Sequence, residues 1–349
     1  MNERLASLIF ALLAVLSAFG AIRYFADSHI QGNTIRLAHD SKESSPLHRA
    51  LMAFEQRVEA DSRGEIQVEL YPGAQLGGVR ETTEMVRQGN LQMTAGASVL
   101  LTSIVPEFNV LDIFYLFRDA AHAHRALDHP DVGGLLLDAM ASKGLEGLGY
   151  MEVGFRSITS SKRPITALAD LEGLKIRAAA NPIQIDAWRS LGAAPTPLSW
   201  GEIFTSLQQG LINTQESAVY SVYAERFYEA QTYLSLTEHI YTNYVIFAHR
   251  PFWQSLKPAH KALVERALRA SIARQRLLSA RQNRQIIADL ERQGMRVNRV
   301  DAAVRAAMKA RMNRAVSEAI REKTGPALFD AVMEKIERLA APASAQGAI

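Results

Sequence analysis

Two different spacings of apolar residues alternate along the first part of the chain. Short runs with apolar residues at every second position are typical of strands, and stretches with apolar residues every three to four positions are typical of amphipathic helices. Their order predicts strands at 34–38, 65–71 and 91–95, with helices at 44–64 and 80–88 between them. The alternation continues to about Arg177, which predicts an α/β fold with a mainly parallel sheet.

A helical pattern of unusual length covers residues 257–293. Pro258 suits the first turn of a helix, Gly294 suits the residue after the last turn, and no glycine or proline lies between them. About 36 residues at ~1.5 Å each would form a helix of roughly 54 Å. Because this exceeds the width of one small domain, we predict a helix that runs along two lobes.

The N-terminus has the pattern of a secretory signal. A charged start, Met1 to Arg4, precedes an uncharged apolar run from Leu5 to Ile22. We predict a signal peptide over residues 1–28, although the run also borders on the ~20 residues of a membrane span, so an uncleaved anchor stays open. Either alternative places the rest of the chain outside the cytoplasmic membrane, and we predict a periplasmic location.

Composition excludes several classes of site. The 349 residues are 48% apolar and 21% charged, as in an ordinary globular protein, and they exceed what one hydrophobic core usually serves. The absence of cysteine excludes disulfides, thiolate metal sites and a cysteine nucleophile. Motifs of serine hydrolases, zinc proteases and P-loop enzymes are missing. His122, His124 and His129 have a spacing that points them to different faces, so we predict no metal and no cofactor.

The net charge of +3 is unevenly distributed. Residues 257–323 carry 17 basic and 6 acidic side chains and no aromatic residue on which a nucleic-acid base could stack. We therefore predict no nucleic-acid partner and interpret this stretch as a solvated helix surface. Docking to a membrane permease or to anionic lipid headgroups is the alternative.

Two arginines follow apolar, strand-like runs. Arg177 ends the run Gly-Leu-Lys-Ile-Arg at 173–177, and Arg156 follows a run that ends at Met151. Ligands of open α/β sheets bind beyond the carboxyl ends of the strands, and the arginine fork matches a carboxylate. The sequence therefore predicts a clamp for an organic acid.

An ordered set of motifs resembles the periplasmic solute-binding subunits of TRAP transporters, over roughly residues 34–294. It comprises Leu-Tyr-Pro-Gly-Ala-Gln-Leu-Gly-Gly at 70–78 and the segments 105–111, 154–177, 191–202, 207–217 and 226–239. The resemblance implies a two-lobed α/β periplasmic solute-binding fold with a long lobe-spanning helix. Such a protein closes over an organic acid by a hinge motion and delivers it to TRAP membrane permease subunits.

The resemblance also implies the ligand contacts. Arg177 occupies the place of the arginine that grips the substrate carboxylate, and Arg156 matches a second arginine that commonly reaches the same ligand. Trp200 matches an aromatic position on the pocket wall. Asp40 and Ser98 fall where the first lobe supplies polar contacts, although Asp40 alone is also compatible with a simple strand end.

The segment 213–218 departs from the family pattern. Most relatives carry Asp-Gly-Gln-Glu-Asn-Pro where this chain has Asn-Thr-Gln-Glu-Ser-Ala. Ser217 therefore replaces an asparagine that usually contacts the ligand and has a shorter reach, while Gln215 keeps its place and is a further candidate contact. Phe114 stands where a proline is common. These differences leave the solute open between a dicarboxylate, a keto acid and a sugar acid.

On this fold we predict lobe I at 32–153 plus 242–281, lobe II at 154–241 plus 282–340, and a flexible tail at 341–349. Two other functions remain open. One is a ligand-sensing ectodomain held by an uncleaved N-terminus. The other is an exported enzyme that acts on a carboxylate substrate with Glu216 or Asp40 as general acid or base.

Overall fold

A computed structural model describes residues 34–340 of the chain. The predicted signal region and the tail at 341–349 lie outside the described residues. In the described part, nine strands form one mixed sheet in the order β2-β1-β3-β8-β4-β7-β5-β6, with β9 beside β8. The strands are β1 Thr34–His39, β2 Gln67–Tyr71, β3 Met93–Ala97, β4 Leu145–Ser160, β5 Lys175–Ala178, β6 Ala194–Pro197, β7 Thr214–Ala218, β8 Tyr233–His249 and β9 Arg296–Arg299.

Helices flank this sheet, and their order alternates with the strands as predicted. They are α1 Pro46–Asp61, α2 Val79–Arg87, α3 Ser98–Leu101, α4 Ala120–Leu127, α5 Leu135–Ala139, α6 Pro182–Ser190, α7 Ile203–Gln208, α8 Val219–Ala224, α9 Arg250–Ser255, α10 Pro258–Arg292, α11 Ala302–Thr324 and α12 Pro326–Leu339. The α/β prediction is confirmed. Helix α1 buries the predicted face of Leu47, Leu51, Phe54 and Val58 against the sheet and α10.

Two long antiparallel strands join the halves of the sheet. In the first half, β1 pairs in parallel with β2 and β3, and in the second half β5 pairs in parallel with β6 and β7. Strands β4 and β8, of 16 and 17 residues, pair antiparallel to each other and extend through both halves. Sheet pairing is therefore parallel at the sides, as predicted, and antiparallel in the middle.

A register shift interrupts β4 between Glu152 and Gly154, opposite Asn243 and Thr242 of β8. Gly154 has a φ of 110°, a backbone conformation that glycine adopts without steric cost. The predicted lobe boundaries at 153 and 154 and at 241 and 242 coincide with this shift and stay a prediction. This shift is one of three in the pairing of β4 with β8, and irregular pairing of this kind allows a strand to bend.

The predicted long helix is present as α10, whose 35 residues begin at Pro258 and end at Arg292. Its first part packs Val264 and Leu268 into the core of the first half, and its last part packs Leu290 into a core of the second half. In between, the Gln275 side-chain amide accepts a hydrogen bond from the Glu152 backbone N–H at 2.8 Å and donates one to its carbonyl at 2.7 Å. The helix is thereby tied to β4 at the register shift. None of the helices within 34–340 has the length and apolarity to cross a membrane.

We expect the Gln275→Ala variant to unfold more easily, because it leaves the buried N–H and C=O groups of Glu152 without partners. Each lost partner costs about 1–3 kcal/mol, so the free energy of unfolding should fall by about 2–4 kcal/mol in urea titrations followed by circular dichroism. Gln285→Ala, at an exposed position of the same helix, is the control and should change stability by less than about 0.5 kcal/mol. Equal stability of the two variants would contradict this role for Gln275.

Candidate ligand-binding cleft

A cleft of about 710 Å³, including its open mouth, lies between the two halves of the sheet. Its charged and aromatic lining comprises Asp40, Lys42, Arg156, Arg177, Trp200, Tyr220, Glu225 and Tyr244. Asp40 directly follows β1, and Arg177 lies near the carboxyl end of β5. The structure therefore brings side chains from strands of both halves to one space, where open α/β sheets commonly bind ligands.

Arg177 lines the cleft although its side chain is almost wholly buried, at 4% exposure. Its Nε and Nη2 donate hydrogen bonds to the Leu198 carbonyl at 3.1 and 2.8 Å, and its guanidinium lies 5.7 Å from the centre of the Trp200 ring. Burial, with repulsion from Arg156, lowers the pKa of Arg177 to about 10, so it stays charged at neutral pH. Among the described residues, no carboxylate lies within 4.0 Å of it. Within the part of the chain that the structure describes, this cation therefore faces the cleft without a carboxylate in direct contact, although Glu216 and Asp40 favour its charge from a longer distance.

Arg156 also lines the cleft, but its charge is paired. Its Nε lies 2.5 Å from Oε2 of Glu216, and its Nη2 donates to Oε1 at 2.9 Å and to the Glu216 carbonyl at 2.6 Å. Burial alone would raise the pKa of Glu216, but Arg156 and a hydrogen bond from His239 outweigh it and bring the pKa to about 2. Glu216 is therefore an ionised, fully paired carboxylate.

Trp200 forms part of the cleft wall. Its ring contacts Phe227 edge to face with centroids 5.8 Å apart, and its Nε1 donates to Oε1 of Glu225 at 3.4 Å. Glu225 in turn forms an ion pair with Lys42 at 2.9 Å, and Lys42 also donates to the Ala224 carbonyl at 3.0 Å. Because Lys42 follows β1 and Glu225 follows α8, these contacts cross the cleft.

Three of the residues predicted from the sequence lie outside the main cleft. Ser98 lines a smaller adjoining cavity together with Arg156. Gln215 is fully buried and donates to the Thr159 hydroxyl at 2.8 Å, and the Ser217 hydroxyl is buried without a hydrogen-bond partner among the described residues. Side chains alternate between the faces of a strand, and β7 turns Glu216, not its neighbours, toward Arg156.

A buried amide cluster beside the cleft was not predicted. Asn181 donates hydrogen bonds to Asp112 at 2.8 Å and to the Val99 carbonyl at 3.2 Å, and its own oxygen caps α6. Gln184 donates to the same carboxylate at 3.2 Å. Burial raises the pKa of Asp112 to about 7, although both amides and Arg156 oppose the rise. The only sequence signal here is an asparagine before Pro182, which indicates a helix N-cap.

Comparison with known proteins decides the family. Residues 37–323 match the model of the bacterial extracellular solute-binding proteins, family 7, also called DctP. The chain belongs to this family.

Relatives and solved structures agree with this assignment. The 2,3-diketo-L-gulonate-binding periplasmic protein YiaO of Escherichia coli is 33% identical over 78% of this chain and 83% of its own length. A TRAP periplasmic solute-binding protein from Polaromonas bound to D-erythronate is 30% identical, with a TM-score of 0.80, covering 86% of this chain and 98% of that one. The sugar acid binding protein DctPAm from Advenella mimigardefordensis, in complex with galactonate, is 29% identical with a TM-score of 0.83, covering 88% and 98%.

These matches confirm the resemblance to TRAP solute-binding proteins, the two-lobed α/β fold and the long helix. The DctP family is an extracytoplasmic and non-enzymatic class, so an acid or base role for Glu216 or Asp40 in an enzyme is not retained.

The buried Asp112 makes stability dependent on pH. Its pKa rises from an ordinary value near 4 to about 7 on folding, so the folded state holds a proton that the unfolded state has lost between these values. The contribution of Asp112 to the free energy of unfolding is therefore expected to fall as pH rises from 4 to 7. Asp112→Asn should remove this contribution, which is on the order of 2 kcal/mol, as measured by urea unfolding at a series of pH values.

The matched control is Asp186→Asn, an exposed acid on α6. It should leave the dependence on pH unchanged. An Asp112→Asn variant with the same dependence on pH as the wild type would show that Asp112 does not titrate in this range.

Proposed function

We propose that this protein captures an organic acid in the cleft and delivers it to the membrane permease of a TRAP transporter. The observation that carries the proposal is Arg177, a buried guanidinium that lines the cleft and has no carboxylate partner among the described residues. A ligand carboxylate would supply the missing counter-ion. Such a charge-assisted contact is among the strongest hydrogen bonds that proteins form.

The surroundings of Arg177 hold its guanidinium in a fixed orientation. The Leu198 carbonyl occupies Nε and Nη2, and the face of Trp200 lies against the guanidinium. Because these contacts leave Nη1 without a protein acceptor among the described residues, we propose that the N–H groups of Nη1 and the second N–H of Nη2 donate to the ligand. Trp200 would exclude water from the same contact, which strengthens it.

For the other predicted residues, we propose contact with the ligand only where the side chain lines the cleft. Asp40 and Arg156 line the cleft with Arg177, so we propose direct contact for them, with Arg156 acting as one partner of a neutral pair. Ser98, Gln215 and Ser217 lie outside the cleft lining, and the proposal assigns no direct contact to them.

Closure follows from contacts that cross the cleft. The ion pair of Lys42 with Glu225 would form as the lobes approach, and the ligand would favour the closed state by bridging Arg177 and the residues after β1. Export by the N-terminal 28 residues would place the protein beside the permease in the periplasm. The basic surface of α10 and α11 is the proposed docking face.

The test is ligand binding by variants of Arg177, with isothermal titration calorimetry on a panel that includes D-erythronate, galactonate and succinate. Arg177→Ala should lose about 2–5 kcal/mol of binding free energy for the acid that binds best. Arg177→Lys should lose a similar amount of binding free energy, because the point charge of a lysine ammonium does not reproduce the planar fork of the guanidinium.

Arg163→Ala is the matched control. Arg163 also donates to two backbone carbonyls, those of Asp170 and Glu172, but it is exposed and lies outside the cleft. Its loss should leave affinity unchanged. Unchanged affinity in Arg177→Ala, or a wild type that binds no carboxylate of the panel, would refute the proposed function.

A further inference from the structure

Five charged residues line the cleft, and four of them can be assigned to pairs or to the ligand. Lys42 is paired with Glu225 across the mouth, and Arg156 is paired with Glu216 behind the wall. Among the described lining residues, this leaves one positive group, Arg177, and one negative group, Asp40. The cleft therefore offers one site for an anion and, close by, one site that an anion would avoid.

Asp40 has no ion-pair partner within 4.0 Å and no side-chain hydrogen-bond donor among the described residues. Its surroundings raise its pKa to about 6: burial is the largest cause, and Glu225 adds to it, while Arg177 opposes it. A carboxylate held in such a place is stabilised by a hydroxyl donor and destabilised by a second carboxylate.

The rest of the polar lining consists of hydroxyl groups. They belong to Ser41, Ser45, Tyr220, Ser221, Thr242 and Tyr244. Ser41 follows Asp40 in the chain, and its hydroxyl lies 2.6 Å from that of Tyr244, which lines the same cleft. Hydroxyl groups both donate and accept, so this lining matches a ligand that carries hydroxyl groups along its carbon chain.

We infer that the cleft selects hydroxylated monocarboxylates of the sugar-acid type over dicarboxylates, and that Asp40 is the residue that makes this distinction. The inference rests on the proposed function, since Arg177 is assigned to the ligand's single carboxylate. Asp40 accepts a hydrogen bond from a ligand hydroxyl that lies further along the carbon chain than the carboxylate. The second carboxylate of a diacid would reach Asp40, and no unpaired cation is left among the described residues that line this cleft to compensate it, so recognition includes a repulsive element.

This assignment differs from a dicarboxylate clamp made of two arginines. Such a clamp requires two guanidinium groups whose charge is not already neutralised, and Glu216 neutralises the charge of Arg156 through three hydrogen bonds. Freeing that charge would mean breaking these bonds and leaving the Glu216 carboxylate buried and partly unpaired, which is strongly unfavourable.

The experiment compares two acids with the same four-carbon chain, D-erythronate and succinate, by isothermal titration calorimetry. The wild type should bind D-erythronate more tightly by about tenfold or more. Asp40→Asn removes the negative charge and keeps the shape of the side chain. It should therefore lower the affinity for D-erythronate, raise the affinity for succinate and reduce the ratio of the two affinities by about tenfold. Glu43→Gln removes an exposed acid three residues away, outside the cleft lining, and should leave the ratio unchanged.

Succinate binding as tight as D-erythronate to the wild type, or an unchanged ratio in Asp40→Asn, would overturn the inference. If succinate binds more tightly and Arg177→Ala abolishes that binding, the proposed function stands and the inference alone fails. If the wild type binds no acid of the panel, both fail. Circular dichroism checks that Asp40→Asn is folded, and the wild-type comparison together with Asp40→Ser decides the question if it is not.

Discussion

The ligand site depends on a buried positive charge that has no carboxylate within 4.0 Å among the described residues. Arg177 is removed from water at the inner wall of the cleft, where one carbonyl and one aromatic face contact it and Asp40 and Glu216 act on it only from a longer distance. Burial of an incompletely compensated charge is costly, so this arrangement favours any state in which an anion reaches the guanidinium. The neighbouring Arg156 is neutralised by Glu216, which keeps two like charges from competing for the same ligand.

The charge of Arg177 lies beside an irregular stretch of the two longest strands. Strands β4 and β8 pass through both halves of the sheet, and their pairing is irregular beside the cleft. Helix α10 packs into cores of both halves and holds β4 at one of these irregular points through Gln275. Local bending at such a place would change the width of the cleft while each half keeps its own core. A ligand held between Arg177 and the residues after β1 would then stabilise the narrow form.

The sequence predicted those features that are encoded locally. Helix α10 follows from two terminal residues and an uninterrupted pattern, and Arg177 follows from its place at the end of a strand within a family motif. The antiparallel crossing of β4 and β8 was not predicted, because periodicity reports which face of a strand is buried and not its direction. Phe114, at which the sequence departs from the family pattern, is fully buried and packs into a core of the second half.

Local sequence patterns could not predict the charge pairs of the cleft either. Glu216 reaches Arg156 because of the register between β7 and β4, in which Arg156 lies opposite Ala218. The same register turns Gln215 and Ser217 to the other face of β7, away from Arg156, and their contact with a ligand stays a prediction. Asp112 and Asn181 are distant in sequence and meet only through the packing of α6.

The most direct measurement is X-ray diffraction from crystals of the protein grown with D-erythronate. We predict electron density for the ligand in the cleft, with its carboxylate oxygens about 2.7–3.1 Å from nitrogen atoms of Arg177, while Arg156 stays paired with Glu216. A ligand carboxylate bound to Arg156 with Glu216 displaced, or bound outside the cleft with Arg177 unoccupied, would contradict it.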